Sequence, residues 1–254
     1  PTSLTGCVTI LNNKFIDNPN CEILGRDAEC EEIWRNMMKK TKRNVILVGK
    51  PGVGKSSIVY KLTSDIVNQR CPEMFNDFIV LSLDVNNIIS GTTLRGQAEE
   101  RFQDLIELMK KHNNVILFID EIHRFNKAQQ DYLLPFVEDG TVILIGATTE
   151  NPYFEVNSAL ISRSSIFQLK PLSKENIKTL IRRAVTDTEK GMGSYDAEIT
   201  EEAVDFLADM SEGDARHALN AVELGILSTE RNPETGKIVI DLPVAEECIQ
   251  RRSI

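Results

Sequence analysis

The sequence predicts an α/β protein: a five-stranded parallel sheet sandwiched by helices, followed by a small helical lid domain. Three observations lead there. Short apolar, β-rich runs alternate with stretches of helical periodicity, a glycine-rich loop follows the first run, and beyond residue 170 strands give way to helices. At about 150 residues per domain, 254 residues hold one large domain and a smaller companion.

Ala28 to Lys40 puts Ile33, Trp34, Met37 and Met38 on neighbouring positions of an amphipathic helix, with Trp34 packed in the core. The strands are Val45-Ile46-Leu47-Val48, Phe78 to Leu83, Val115 to Ile119, Val142 to Ile145 and Ile166 to Leu169. Several are apolar without alternation, as strands covered on both faces are. Gln97 to Lys111 spaces Phe102, Leu105, Ile106 and Met109 as one helix face. After Lys170-Pro171-Leu172, Ser173 caps a helix through about Val185, Thr200 caps one through Met210, and Asp214 to Ser228 forms a third. Glu189 to Asp196, with two glycines, reads as a flexible connection. Asn232 to Gly236 is turn chemistry before Lys237-Ile238-Val239-Ile240, and Pro243 suits the first turn of a last short helix. The expected boundaries are 1–170 for the α/β domain and 171–254 for the lid.

Composition excludes several classes. Hydrophobic residues at 41% and charged residues at 26% are ordinary globular values, unlike those of disordered, collagenous or coiled-coil chains. A net charge of −9 has the wrong sign for coating DNA, which leaves weak, salt-sensitive contact through short segments such as Lys39 to Arg43. Five cysteines without a Cys-x-x-Cys pair suggest reduced thiols, and no apolar run reaches the length of a membrane span. A cytoplasmic protein is the expectation. Because the chain opens on Pro1, its ends are not read as natural termini.

The chemistry concentrates in two motifs. Gly49-Lys50-Pro51-Gly52-Val53-Gly54-Lys55-Ser56 is a phosphate loop between an apolar strand and a helix beginning near Lys55. Pro51, Gly52, Val53, Gly54, Lys55, Ser56 and Ser57 are expected to hold a nucleotide's phosphates, with Lys55 on the β- and γ-phosphates and Ser56 on Mg²⁺. Val115 to Ile119 ends in Asp120 and Glu121, two carboxylates that are costly at a buried strand's edge unless compensated. Asp120 holds the metal in this reading, and Glu121 orients and deprotonates the attacking water. His112, His123 and His217 lack metal-ligand spacing and read as surface or cap histidines. Asp84 resembles a strand-end carboxylate without an evident partner.

With these motifs the chain resembles the AAA+ ATPases over nearly its whole length. The resemblance implies ATP and ADP as nucleotides. It implies a sensor at Thr149 in Gly146-Ala147-Thr148-Thr149, with Asn151 as the alternative, and an arginine finger at Arg163 that acts on a neighbouring subunit. It further implies a second sensor at Arg216 in Gly213-Asp214-Ala215-Arg216 and an adenine-holding segment at Ile23 and Leu24. Residues from about 14 to 112 look like the first ATPase domain of Clp-type unfoldases, whereas those from about 120 to 252 are similar to the RarA/MgsA replication-associated recombination ATPases. A hybrid joined at the strand before Asp120 is one expectation; with mismatched surfaces, such a chain would be mainly monomeric. Leu94 replaces the aromatic residue that grips polypeptide in the Clp pattern, which weighs against threading.

Overall fold

The computed structural model describes residues 4–90 and 96–250. Leu94, with the polypeptide-gripping position it marks, lies outside them. The chain divides into two compact units, residues 1–49 with 55–169 and residues 50–54 with 170–254.

In the first unit, β1 (Val8–Ile10) precedes α1 (Asp27–Met37), β2 (Asn44–Val48) and α2 (Lys55–Val67). Then come β3 (Ile79–Leu83), α3 (Val85–Ile89), α4 (Gln97–Lys111) and β4 (Val115–Ile119). The helices α5 (Lys127–Asp131) and α6 (Leu134–Glu138) lead to β5 (Val142–Thr148), and α7 (Pro152–Glu155) and α8 (Ser158–Ser162) to β6 (Ser164–Gln168). The sheet order is β1-β3-β4-β5-β2-β6. The five expected strands are parallel, and β1 adds an antiparallel edge on β3 that the sequence did not announce. Every residue of β2, β4 and β5 is buried, which is why these strands read as unbroken apolar runs.

The order places β5 between β2 and β4, so the carboxyl ends that carry the phosphate loop and the two acids flank the end of β5. Ligands of open α/β sheets bind at such carboxyl ends. Phe102, Leu105 and Met109 of α4 are fully buried with Leu117 and Leu144 of the sheet. Trp34 is buried, as expected, with its ring 5.0 Å from that of Phe75. Asp84 does have a partner: it caps α3 by accepting from the Asn87 amide at 3.0 Å.

The second unit holds α9 (Lys174–Thr186), β7 (Ala197–Ile199), α10 (Glu201–Met210), α11 (Ala215–Ser228), β8 (Ile238–Ile240) and α12 (Leu242–Gln250). Ser173, Thr200 and Asp214 each accept a backbone amide hydrogen as helix caps. The strands β7 and β8 form a short parallel pair. The connection after α9 is hydrogen-bonded rather than slack. Asp187 accepts from the amides of Glu189 and Lys190, and the Met192 amide donates to the Ala184 carbonyl at 2.7 Å. Among the described residues, no helix is long and apolar enough to cross a membrane.

Candidate active site

The phosphate loop grows from the buried end of β2. The Gly49 amide donates to the Thr148 carbonyl at 3.2 Å, and Lys55 Nζ donates to the Gly49 carbonyl at 2.7 Å. Gly52 and Gly54 have φ of +75° and +99°, a conformation that turns backbone amides toward one side of the loop. Val53 is buried and anchors the loop, whereas Pro51 and Ser57 are exposed. Helix α2 begins at Lys55, which puts a helix N-terminus, the end that favours phosphate oxygens, directly after the loop. Within the second unit, the Ala215 amide donates to the Gly52 carbonyl at 3.1 Å. Arg216 is exposed on the first turn of that helix, α11.

The acids lie at the end of β4. Ser56 Oγ donates to Asp120 Oδ2 at 3.2 Å, which brings two hard oxygen ligands together as Mg²⁺ requires. Among the described residues there is no cluster of three or more His, Cys, Asp or Glu that could hold a metal. A cation here would therefore be completed by phosphate and water oxygens, which is how Mg²⁺ is usually held beside nucleotides. Glu121 has φ +53° and ψ +48°, a left-handed backbone that costs a non-glycine residue about 1–2 kcal/mol. Its Oε2 is 2.5 Å from Arg124 Nε, and Arg124 Nη1 donates to Asn86 Oδ1 at 2.7 Å. The turn is seated by Ile122, which is fully buried, and by Phe125, whose ring is 5.4 Å from that of Phe102. Gly146 leaves room for Ile122: a Cβ there would lie 3.1 Å from Ile122 Cδ1.

Thr149 is exposed just past β5, and Asn151 is spent as the cap of α7, accepting from the Tyr153 amide at 3.0 Å. The neighbour that sequence reasoning passed over, Thr148, is fully buried, with Oγ1 2.8 Å from His123 Nδ1. His123 is thus neither a free surface histidine nor a helix cap. Its place three residues after Asp120 was the only sequence signal for it. Ile23 and Leu24 are half-buried in the segment before α1.

Arg163 stands at the start of β6, where Ser164 pairs with Asn44, the first residue of β2. Lys55, Ser56 and Asp120 belong to the opposite, carboxyl end of the sheet. Five-residue strands at about 3.3 Å per residue put Arg163 beyond side-chain reach of its own chain's phosphate site. Its guanidinium instead meets Glu138 Oε1 at 2.7 Å and the Ala159 carbonyl at 2.9 Å.

The sequence pattern of the ATPase family associated with various cellular activities (AAA) matches residues 45–172, and that of the AAA C-terminal domain matches residues 193–254. The replication-associated recombination protein A of Bacillus subtilis (strain 168) is 38% identical over 235 residues, which are 91% of this chain and 51% of that protein. The ATP-binding subunit ClpE of the ATP-dependent Clp protease of Lactococcus lactis subsp. lactis (strain IL1403) is 34% identical over 200 residues, 74% of this chain and 26% of its own length. The chain spans about half the length of the curated recombination relatives it matches. The solved S. cerevisiae Hsp104-ADP complex superposes with a TM-score of 0.79 at 20% identity, covering 97% of this chain and 44% of that one, a likeness of fold. The Bacillus match is too long to lie on one side of β4, so it crosses the place where a join was expected.

Proposed function

Since the chain belongs to the ATPase family associated with various cellular activities, we propose that it binds ATP with Mg²⁺ and hydrolyses it to ADP and phosphate. The work served is DNA maintenance of the replication-associated recombination type. The observation that carries this reading is the meeting of Ser56 Oγ and Asp120 Oδ2 beside Glu121, with Lys55 folded onto the first glycine of the phosphate loop. The extent and identity of the match to the Bacillus recombination protein favour DNA maintenance over protein remodelling.

Each residue then has a distinct task. The loop amides and the first turn of α2 bind the β- and γ-phosphate oxygens, and Lys55 neutralises their charge. Ser56 and Asp120 hold Mg²⁺, which when bound offsets the charge that develops on the phosphates. Glu121 accepts a proton from the water that attacks the γ-phosphorus. Thr149 supplies a hydroxyl beside that water, Arg216 meets the phosphates from the lid, and Ile23 and Leu24 pack on adenine. Arg163 serves a second copy of the chain, and DNA contact is at most weak and salt-sensitive, through short basic segments such as Lys39 to Arg43, because a chain of net charge −9 has no general attraction for phosphate. The setting is cytoplasmic.

Two substitutions separate binding from turnover. Lys55→Ala is expected to lose nucleotide affinity, and Glu121→Gln to keep affinity while hydrolysis falls by about 10²–10⁴-fold. Equilibrium binding of ATP with Mg²⁺ and single-turnover hydrolysis check both. Hydrolysis by Glu121→Gln at the wild-type rate would remove Glu121 from its role.

A further inference from the structure

We propose that His123 and Thr148 form a positioning pair that fixes the Glu121 turn against the strand end from which the phosphate loop departs; this rests on the hydrolytic reading above. Thr148 is the last residue of β5, the strand between β2 and β4. Two of its bonds run to opposite sides and a third is local. Its carbonyl accepts from the Gly49 amide at 3.2 Å, and Gly49 in turn accepts from Lys55 Nζ. Its hydroxyl oxygen accepts from the Glu150 amide at 3.0 Å and lies 2.8 Å from His123 Nδ1. One buried threonine therefore links the phosphate-loop strand to the turn that presents Glu121.

Hydrogen-bond accounting sets the direction of the His123 contact. Thr148 Oγ1 already accepts from Glu150, and its own proton has an acceptor in His123 Nδ1. The imidazole is then neutral, with its proton on Nε2. In the opposite arrangement, with Nδ1–H as donor, the hydroxyl would accept twice and its proton would be stranded in a fully buried site. Glu121 needs such a clamp because its left-handed backbone persists only where the surroundings over-determine it. Burial of Ile122 fixes one side of the turn, and the His123–Thr148 bond fixes the next residue. Neither side chain of the pair reacts; both act through the placement of the Glu121 carboxylate.

Four variants test the pair. Thr148→Val keeps the shape and removes the hydroxyl, and His123→Ala removes the acceptor from the less buried side. Thr148→Ser and His123→Asn restore a hydroxyl and an acceptor. Single-turnover hydrolysis is expected to fall about ten- to a hundredfold in the first two, the scale of a catalytic group displaced by an ångström, with affinity for ATP and Mg²⁺ within about twofold. The restoring variants should regain most of the rate, and in a Glu121→Gln background Thr148→Val should cost nothing more. The chain has three histidines, so ¹⁵N spectra assigned with His123→Asn read the ring directly. They should show Nδ1 as a hydrogen-bonded acceptor in the wild type, with its resonance shifting to that of an unbonded pyridine-type nitrogen in Thr148→Val. Should Thr148→Val not fold, His123→Ala and His123→Asn carry the comparison alone. A wild-type chain that hydrolyses ATP while Thr148→Val and His123→Ala keep pace overturns this proposal alone. A wild-type chain that binds ATP without hydrolysing it, and is therefore indistinguishable from Glu121→Gln, overturns the hydrolytic reading and this one with it.

Discussion

At Gly52 two constraints coincide, since φ is +75° and a Cβ would lie 1.7 Å from Asp214 Oδ1. Each forbids a side chain for its own reason. Gly52→Ala should therefore lower nucleotide affinity by distorting the loop, and Asp214→Ala should relieve the clash while leaving the backbone strain of about 1–2 kcal/mol. Binding titrations of the single and double variants decide it: full recovery in the double variant would mean that the clash alone mattered. Residues with local chemistry were legible in the sequence at this scale. Lys55, Ser56, Asp120 and Glu121 are fixed by spacing along one loop and by one strand end. Thr148 was not legible, because two adjacent threonines look alike until β5 ends between them, burying the first in the sheet and leaving the second exposed. Nor was Arg124, whose hold on Glu121 depends on a three-residue helical turn that no periodicity reveals.

Among the elements, α9 and α10 face each other through an ion-pair ladder. Lys174 Nζ meets Asp205 and Asp209 at 2.9 and 2.8 Å, Lys178 meets Asp205 at 2.9 Å, and Arg182 meets Glu201 at 2.8 Å. The hydrogen bond from Lys178, followed by that from Lys174, holds the Asp205 carboxyl below its ordinary value, and Arg182 does the same for Glu201. A carboxylate depressed on folding stabilises above its unfolded pKa of about 4, and that stability is lost as the pH falls through the lower, folded value. Asp205→Asn should thus melt slightly earlier than the wild type at pH 7 and at pH 5, with the gap closing below about pH 4 and in high salt. Thermal unfolding followed by circular dichroism measures the gap; a deficit undiminished at pH 3 would place its origin outside the ladder. Helices such as these were readable because Ser173, Thr200 and Asp214 announce their own starts. The strands β1, β7 and β8 were harder. Three residues hold no pattern, and what makes Val8–Ile10 a strand is β3, some seventy residues away.

Across the whole molecule, what most affects function is the distance between Arg163 and the carboxyl end of its own sheet. The expectation of a monomer rested on mismatched halves, and a relative matched over 91% of the chain supplies no join at which a mismatch must arise. The geometry of Arg163 then becomes the deciding fact. If this residue acts on a γ-phosphate it does so on another copy, because the length of β2 and β6 lies between it and the Lys55 end of its own chain. Its pairing with Glu138 does not prevent this. Both side chains are about two-fifths exposed, and ion pairs that water reaches are weak enough to be exchanged for a phosphate partner. Turnover per chain should therefore rise with protein concentration, and Arg163→Ala should flatten that rise while leaving the dilute, basal rate in place. An arginine supplied in trans can contribute about 10³–10⁵-fold to phosphoryl transfer, so the assembled and dilute rates should differ visibly. Sedimentation with ATP beside the same hydrolysis assays distinguishes the outcomes. Turnover per chain that is constant with concentration, in a species that stays monomeric, would confine Arg163 to its bond with Glu138 and leave catalysis to Lys55, Ser56, Asp120 and Glu121.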